Sequence, residues 1–203
     1  MDSKNTVEEE SWGLLTKAQF DRFLDRFTKQ FGQPTCSKRL SFSFWDHNRN
    51  QIDTRIKVTD GRAEIMQKVG VWEKTTKWAR TEQRVSLPSD TTEIFNVYQI
   101  LRVLIPGNDD CHILQLENFL FKQPGFEIKL THQYGKTDKY NFEVEADSSE
   151  TNLTQVLKDL ELVKLVTVTN TEFWDKWNEK LNFRDIELDT KQIQDLIKRH
   201  LAY

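Results

Sequence analysis

Glycine, proline and cysteine are all scarce in this chain of 203 residues, which holds 7 Gly, 4 Pro and 2 Cys. So little Gly and Pro excludes collagen-like and low-complexity architectures. Cys36 and Cys111 lie far apart and supply neither a disulfide framework nor a CxxC metal knuckle. That cysteine usage, with no targeting signal, makes a reducing cytoplasm the expected compartment. No run of about 18 apolar residues occurs, so no membrane span is expected. The opening MDSKNTVEEE is polar and acidic, without the apolar stretch of a signal peptide. Charge of one sign is lacking too: 29 Lys and Arg stand against 32 Asp and Glu, a net charge of −3. This excludes a broadly basic nucleic-acid binder and leaves room for a local basic groove. Aromatics are plentiful, with 13 Phe and 6 Trp, and they argue against disorder despite a mean hydropathy of −0.68.

The hydrophobic period divides the chain. Residues 1–12 read as a disordered tail, and 13–203 as a single domain including the C-terminal helices. Thr16 and Gln19 have capping-box spacing, and Phe20, Phe23, Leu24, Phe27 and Phe31 share one helical face. From Gly32 and Pro34 onward the period falls to two. Residues 39–45 set Leu40, Phe42 and Phe44 against Arg39, Ser41 and Ser43. Residues 52–59 place Ile56 and Val58 opposite Arg55 and Lys57, and Asp60-Gly61 is a hairpin turn into a strand over 62–69. Residues 79–87 carry Arg80, Glu82 and Arg84 on one face. Asp90 and Glu93 open a second helix, with Ile94, Val97, Tyr98, Leu101 and Leu104 on its buried side. Strands are expected at 112–121, 126–133 and 140–146, with an eighth at 162–168. Helices follow near 150–160 and, in two short pieces, at the C-terminus. The fold class is α+β: a meandering antiparallel sheet with helices on its apolar face.

The other face of that sheet is ionic and of mixed sign. Its basic members are Arg39, Arg55, Lys57, Lys68, Arg80, Arg84 and Lys129. Its acidic members are Glu64, Glu82, Glu117, Glu127, Glu143 and Glu145. An open sheet simply shows such a face to water. If the sheet curls into a barrel, the charges line a lumen and must pair with one another or with a highly charged guest. A polyanion with a divalent metal is such a guest, because Arg and Lys neutralise phosphate oxygens while glutamates grip a hard cation.

The order of these strands resembles that of CYTH-domain, or triphosphate tunnel, proteins. DTRIKVTDGRAEIMQKVG resembles the family's segment with an Arg-x-Arg/Lys pair followed by a Lys beyond a hairpin. ARTEQRVSL resembles its Arg-x-Glu strand, and YNFEVEAD its late Glu-x-Glu strand. The resemblance covers roughly residues 39–146. It implies an eight-stranded antiparallel β-barrel that binds triphosphates with Mg²⁺ or Mn²⁺, with helices outside. By position it implies Arg55, Lys57, Lys68 and Arg80 as catalytic contacts to phosphate oxygens, and Glu143 and Glu145 as holding the metal, with Glu82 assisting. Arg39, Arg84 and Lys129, from the same ionic face, are expected as further binding residues. Family enzymes open with a Glu-x-Glu strand, and here the corresponding strand carries Ser41 and Ser43. Their Lys-x-Arg strand after the middle helix is matched by Gln115 and Glu117. One metal-ligand pair and one basic pair are thus expected to be missing, with Glu127 a candidate replacement.

The implied function is metal-dependent hydrolysis of inorganic triphosphate, a nucleoside triphosphate or a 5′-triphosphate RNA end. The alternative on the same scaffold is a non-catalytic module binding polyphosphate, nucleotide or an RNA 5′ end. An interaction domain with a flat, solvated face is a third reading. If the seven basic residues converge in a lumen, their repulsion is expected to be partly unrelieved in the empty barrel. His47, His112, His132 and His200 show no ligand spacing, and neither cysteine has a nearby His to form a nucleophilic pair. Trp174 and Trp177 fit a helix packed on the barrel. Trp72 and Trp78 flank a loop, where core burial is the first expectation and covering a tunnel mouth or stacking a base the alternative.

Overall fold

A computed structural model describes residues 7–45, 52–70, 77–105, 111–146, 151–169 and 171–203. The elements run β1 (Val7–Leu15), α1 (Lys17–Phe31), β2 (Thr35–Trp45), β3 (Ile52–Thr59), β4 (Arg62–Gly70) and β5 (Lys77–Leu87). Then come α2 (Thr91–Leu104), β6 (Cys111–Gln123), β7 (Phe126–Tyr134), β8 (Asp138–Ala146) and α3 (Leu153–Asp159). A 3₁₀ turn (Val163–Leu165) leads to α4 (Thr171–Leu181), the short β9 (Phe183–Arg184) and α5 (Thr190–Leu201). No helix among the described residues is long and apolar enough to cross a membrane.

The first helix begins where its sequence says. The Thr16 hydroxyl accepts from the Gln19 amide, and the Gln19 side chain accepts from the Thr16 amide at 2.8 Å. Gly32, at φ 89°, ends it with its amide on Thr28 O. Asp90 caps α2 through the amides of Thr92 and Glu93. The buried side of α2 is Ile94, Phe95 and Tyr98, while Leu104, expected inside, is 67 % exposed in the last turn.

The strands pair in the order β2-β3-β4-β5-β1-β8-β7-β6, all antiparallel, and β6 pairs again with β2 from Cys111 to Leu120. Eight strands therefore form one hydrogen-bonded circuit, with β9 added beside His112 and Ile113. Among the described residues the β1–β5 seam is short, with Val7–Glu9 meeting Lys77–Ala79 in register. Two sequence expectations change here. Residues 7–12, read as tail, are the start of β1, and residues 1–6 lie outside the described set. Residues 162–168 are not the eighth strand; β1 already occupies the free edge of β8. That segment instead lies along the other edge of β1, with Thr167 N donating to Trp12 O at 2.9 Å. Gly13 permits this approach, since a Cβ there would lie 2.1 Å from Leu165 O.

Two apolar cores lie outside the circuit. Leu40, Phe42, Phe44, Ile56 and Val58 pack against Ile94 and Tyr98 of α2 and Ile193 and Ile197 of α5. Ile128, Leu130, Phe142 and Val144 pack against Phe20, Phe23 and Phe27 of α1 and Leu153 and Leu157 of α3. Each fully buried Phe stabilises the fold by roughly 1.5–3 kcal/mol. Since successive side chains alternate, this outer packing turns the intervening residues inward.

Candidate functional site

Directly opposed residues in neighbouring strands share a face, so the register maps the inner wall. Arg39, Ser41 and Ser43 lie opposite Thr59, Lys57 and Arg55, and Asp53 continues that row on β3. Lys57 and Asp53 lie opposite Glu64 and Lys68 on β4; Lys68 is opposite Glu82, and Met66 is opposite Arg84. On the far side Glu127 is opposite Glu145, and Lys129 is opposite Glu143. Arg80 occupies the β5 position opposite Gly70. The structure thus brings the expected basic and acidic residues onto one inner face, with one exception. Glu117 pairs in register with His132, and Gln115 with Tyr134, on the outer side. The β6 residues on the inner row are Leu114, Leu116 and Asn118, opposite Ser41, Arg39 and Ser37. The alternation of β6 misleads because apolar and polar residues occur in both of its rows.

Sequence reasoning also missed β1. Glu10 lies opposite Glu145, and Trp12 opposite Glu143. The first strand of the circuit is β1, not β2, and it carries Glu8 and Glu10 two residues apart. The missing acidic pair is therefore present in the chain, four residues ahead of Trp12 and Leu14 in the same alternation. Its signal was the period-two run of Glu8, Glu10, Trp12 and Leu14. Trp12 meets Trp174 at 5.1 Å and Phe173 and Trp177 at 5.7 Å, so the aromatics of α4 are packing residues, as expected. Trp72 lies outside the described residues, and Trp78 is a position in β5.

Most inner charges are already compensated. Arg55 makes two bonds to Asp53, Nε to Oδ1 at 3.0 Å and Nη2 to Oδ2 at 2.7 Å. Lys68 lies 3.2 Å from Glu82, which also accepts from Arg84 Nε. Lys129 Nζ is 2.5 Å from Glu143, and Lys122 is 2.7 Å from Glu127. The repulsion expected among all seven basic residues is relieved at these pairs. It persists at Arg39 and Lys57. Lys57 is 7 % exposed and only 3.8 Å from its nearest carboxylate, Glu64. Burial, then the charges of Arg39 and Arg55, push its ammonium down to about 7. Burial and then Arg55 also lower Arg39, whose Nε donates to Thr59 Oγ1 at 3.0 Å. Between them, the Ser41 hydroxyl is buried without a partner. An anion placed here would relieve all three groups.

The acidic side is shaped by its lysine. Burial acts to raise the Glu143 carboxyl, and Lys129 overrides it, leaving it below the usual range. Burial likewise opposes the Glu82 charge, and Lys68 and Arg84 outweigh it. Glu10, Glu143 and Glu145 occupy adjoining register positions on β1 and β8, and their oxygens suit a hard divalent cation. Among the described residues no three His, Cys, Asp or Glu side chains already converge as a metal site. Of the histidines, His112 is on the inner row of β6 opposite Ser43, His132 binds Asp138 at 2.7 Å, and His200 is buried with Nδ1 on Leu196 O. His47 lies outside the described residues. Burial pushes the Cys111 thiol well up, against a role as nucleophile.

No family model and no curated protein matches the chain. Solved structures do. The PH1012 protein of Pyrococcus horikoshii has a TM-score of 0.61 at 13 % identity, over 86 % of this chain and 99 % of its own. A candidate adenylate cyclase from Bacillus halodurans scores 0.56 at 17 % identity, over 81 % and 95 %. HpAC1 of Hippeastrum, a candidate adenylyl cyclase with a dominant triphosphatase activity, scores 0.55 at 12 % identity, over 84 % and 95 %. The chain shares the fold of these structures, the CYTH-like fold. That is the α+β architecture which the strand order implied.

Proposed function

We propose that the chain binds a triphosphate inside its strand circuit and hydrolyses it with Mg²⁺ or Mn²⁺. The observation that carries this reading is the division of the inner face. Glu10, Glu143 and Glu145 stand on β1 and β8, while Arg39, Arg55, Lys57 and Lys68 stand on β2 to β4. The triphosphatase activity of HpAC1 on the same fold supports it. The basic wall would bind phosphate oxygens and stabilise charge on the transferring group, with Arg80 and Arg84 on β5 beside it. Each such contact is worth about 2–4 kcal/mol of transition-state stabilisation. Glu143, Glu145 and Glu10 would hold the metal, with Glu127 and Glu82 at its margins. The metal, when bound, neutralises phosphate charge and orients the group for attack by water.

A second reading is a binding module without turnover, and one observation favours it: Lys129 and Lys122 hold Glu143 and Glu127 as ion pairs. A metal must compete with both lysines. Phosphate release from inorganic triphosphate, ATP and 5′-triphosphate RNA, with each metal, separates the two. Release that is lost in Glu143→Ala with Glu145→Ala supports the hydrolase. Tight binding without release under either metal supports the module. Activity unchanged in the double variant overturns the assignment of the acidic wall.

A further inference from the structure

Asp53 is the most buried carboxylate on the inner row, at 1 % exposure, and the sequence motif did not single it out. It lies two residues before Arg55 on β3, so both side chains emerge on the same face. Its two oxygens take the Nε and Nη2 protons of Arg55 side by side, a geometry only guanidinium offers. Lys68, opposite Asp53 in register, is engaged with Glu82 instead. On the β4 side, Met66 lies opposite Arg55 in register and is fully buried. The Arg55 side chain itself is 30 % exposed. The committed edge of the guanidinium is thus on the buried side, and the Nη1 edge remains for a guest.

The geometry points to Asp53 as a positioning residue: it fixes the plane of the Arg55 guanidinium so that Nη1 meets a phosphate oxygen of the bound polyanion. This rests on the triphosphate reading above. The competing role would be a counter-ion that the guest displaces. Displacement would leave a buried carboxylate without a partner, which is strongly unfavourable. Orientation demands no such loss. Fixing the guanidinium beforehand also removes side-chain entropy that binding would otherwise have to overcome.

The test is calorimetric binding of tripolyphosphate to the whole chain in a four-variant cycle: wild type, Asp53→Asn, Arg55→Gln and the double variant. Asp53→Asn keeps the size and one acceptor oxygen and breaks the paired geometry. Its affinity should fall about tenfold, and the loss should disappear in the Arg55→Gln background. A gain in affinity overturns the proposal in favour of a displaced counter-ion. Unchanged affinity with a lowered melting temperature overturns it in favour of a purely structural pair. If Asp53→Asn does not fold, NMR of the arginine Nε–H groups in wild type decides. The Arg55 Nε proton should keep its protection when tripolyphosphate binds, and loss of that protection overturns the proposal. Wild-type protein that binds no tripolyphosphate overturns the functional reading itself, an outcome distinct from all of these.

Discussion

The two faces of the same eight strands obey different rules. The outer face is apolar and covered by helices, and any truncation there subtracts contacts. The inner face carries a lattice of opposite charges in which most of the charged groups depend on a particular partner. Packing therefore tolerates approximate partners, whereas the lattice depends on register. A one-residue slip would reverse every strand and exchange the two faces.

The sharpest way to break this contrast is to truncate one residue on each side. Phe142→Ala, at a fully buried outer site, should cost about 3–5 kcal/mol in chemical denaturation. On the inner side, Lys129→Met alone should cost about 1–2 kcal/mol, since it strands a partly exposed Glu143. Lys129→Met with Glu143→Leu should return stability to within ~1 kcal/mol of wild type, because a joint apolar replacement leaves no charge unpaired. A double variant as damaged as Phe142→Ala would erase the distinction.

The next effect is one of pH. Folding lowers the Lys57 ammonium from its ordinary value of 10.5 to about 7. The unfolded chain therefore holds more protons between those values, and stability should rise with pH across that window. Below about pH 7 both states are charged and the penalty is fully present. In Lys57→Met the rise should flatten, as read by melting at pH 7 and pH 9. A bound polyanion favours the charged lysine, so its binding should take up a proton near pH 8. Its affinity should then fall as pH rises; calorimetry in buffers of different ionisation enthalpy measures both.

The smallest effect lies outside both faces. Lys191 and Asp195 form an exposed i,i+4 pair on α5 at 2.7 Å. Lys191→Ala should change stability by no more than about 0.5 kcal/mol.

The outer face was the legible one. The phenylalanines of α1 and the alternation of β2, β3, β7 and β8 each fix one apolar row, and the helices cover those rows. The inner residues on those strands followed by elimination. Legibility failed where a strand lacked that contrast. In β1 three consecutive glutamates resemble a solvated tail, and nothing local reveals that Glu10 faces Glu145 at the other end of the chain. In β6 the leucines that look like core are on the inner row, while Gln115 is buried outside. Asp53 was overlooked because its meaning lies in the geometry it gives Arg55.

The three-pair junction between β1 and β5 also bears on how the chain comes together and comes apart. β1 is synthesised well before β8, yet its long ladder is with that strand. Contacts so distant in sequence are slow to form, and the ring must close through them near the end of folding. Among the described residues the same junction has the fewest register pairs of the circuit, which makes it the natural point of local opening. Amides of Lys77–Ala79 should therefore exchange with solvent deuterium well before those of β2 and β6, whose ladder spans ten register pairs.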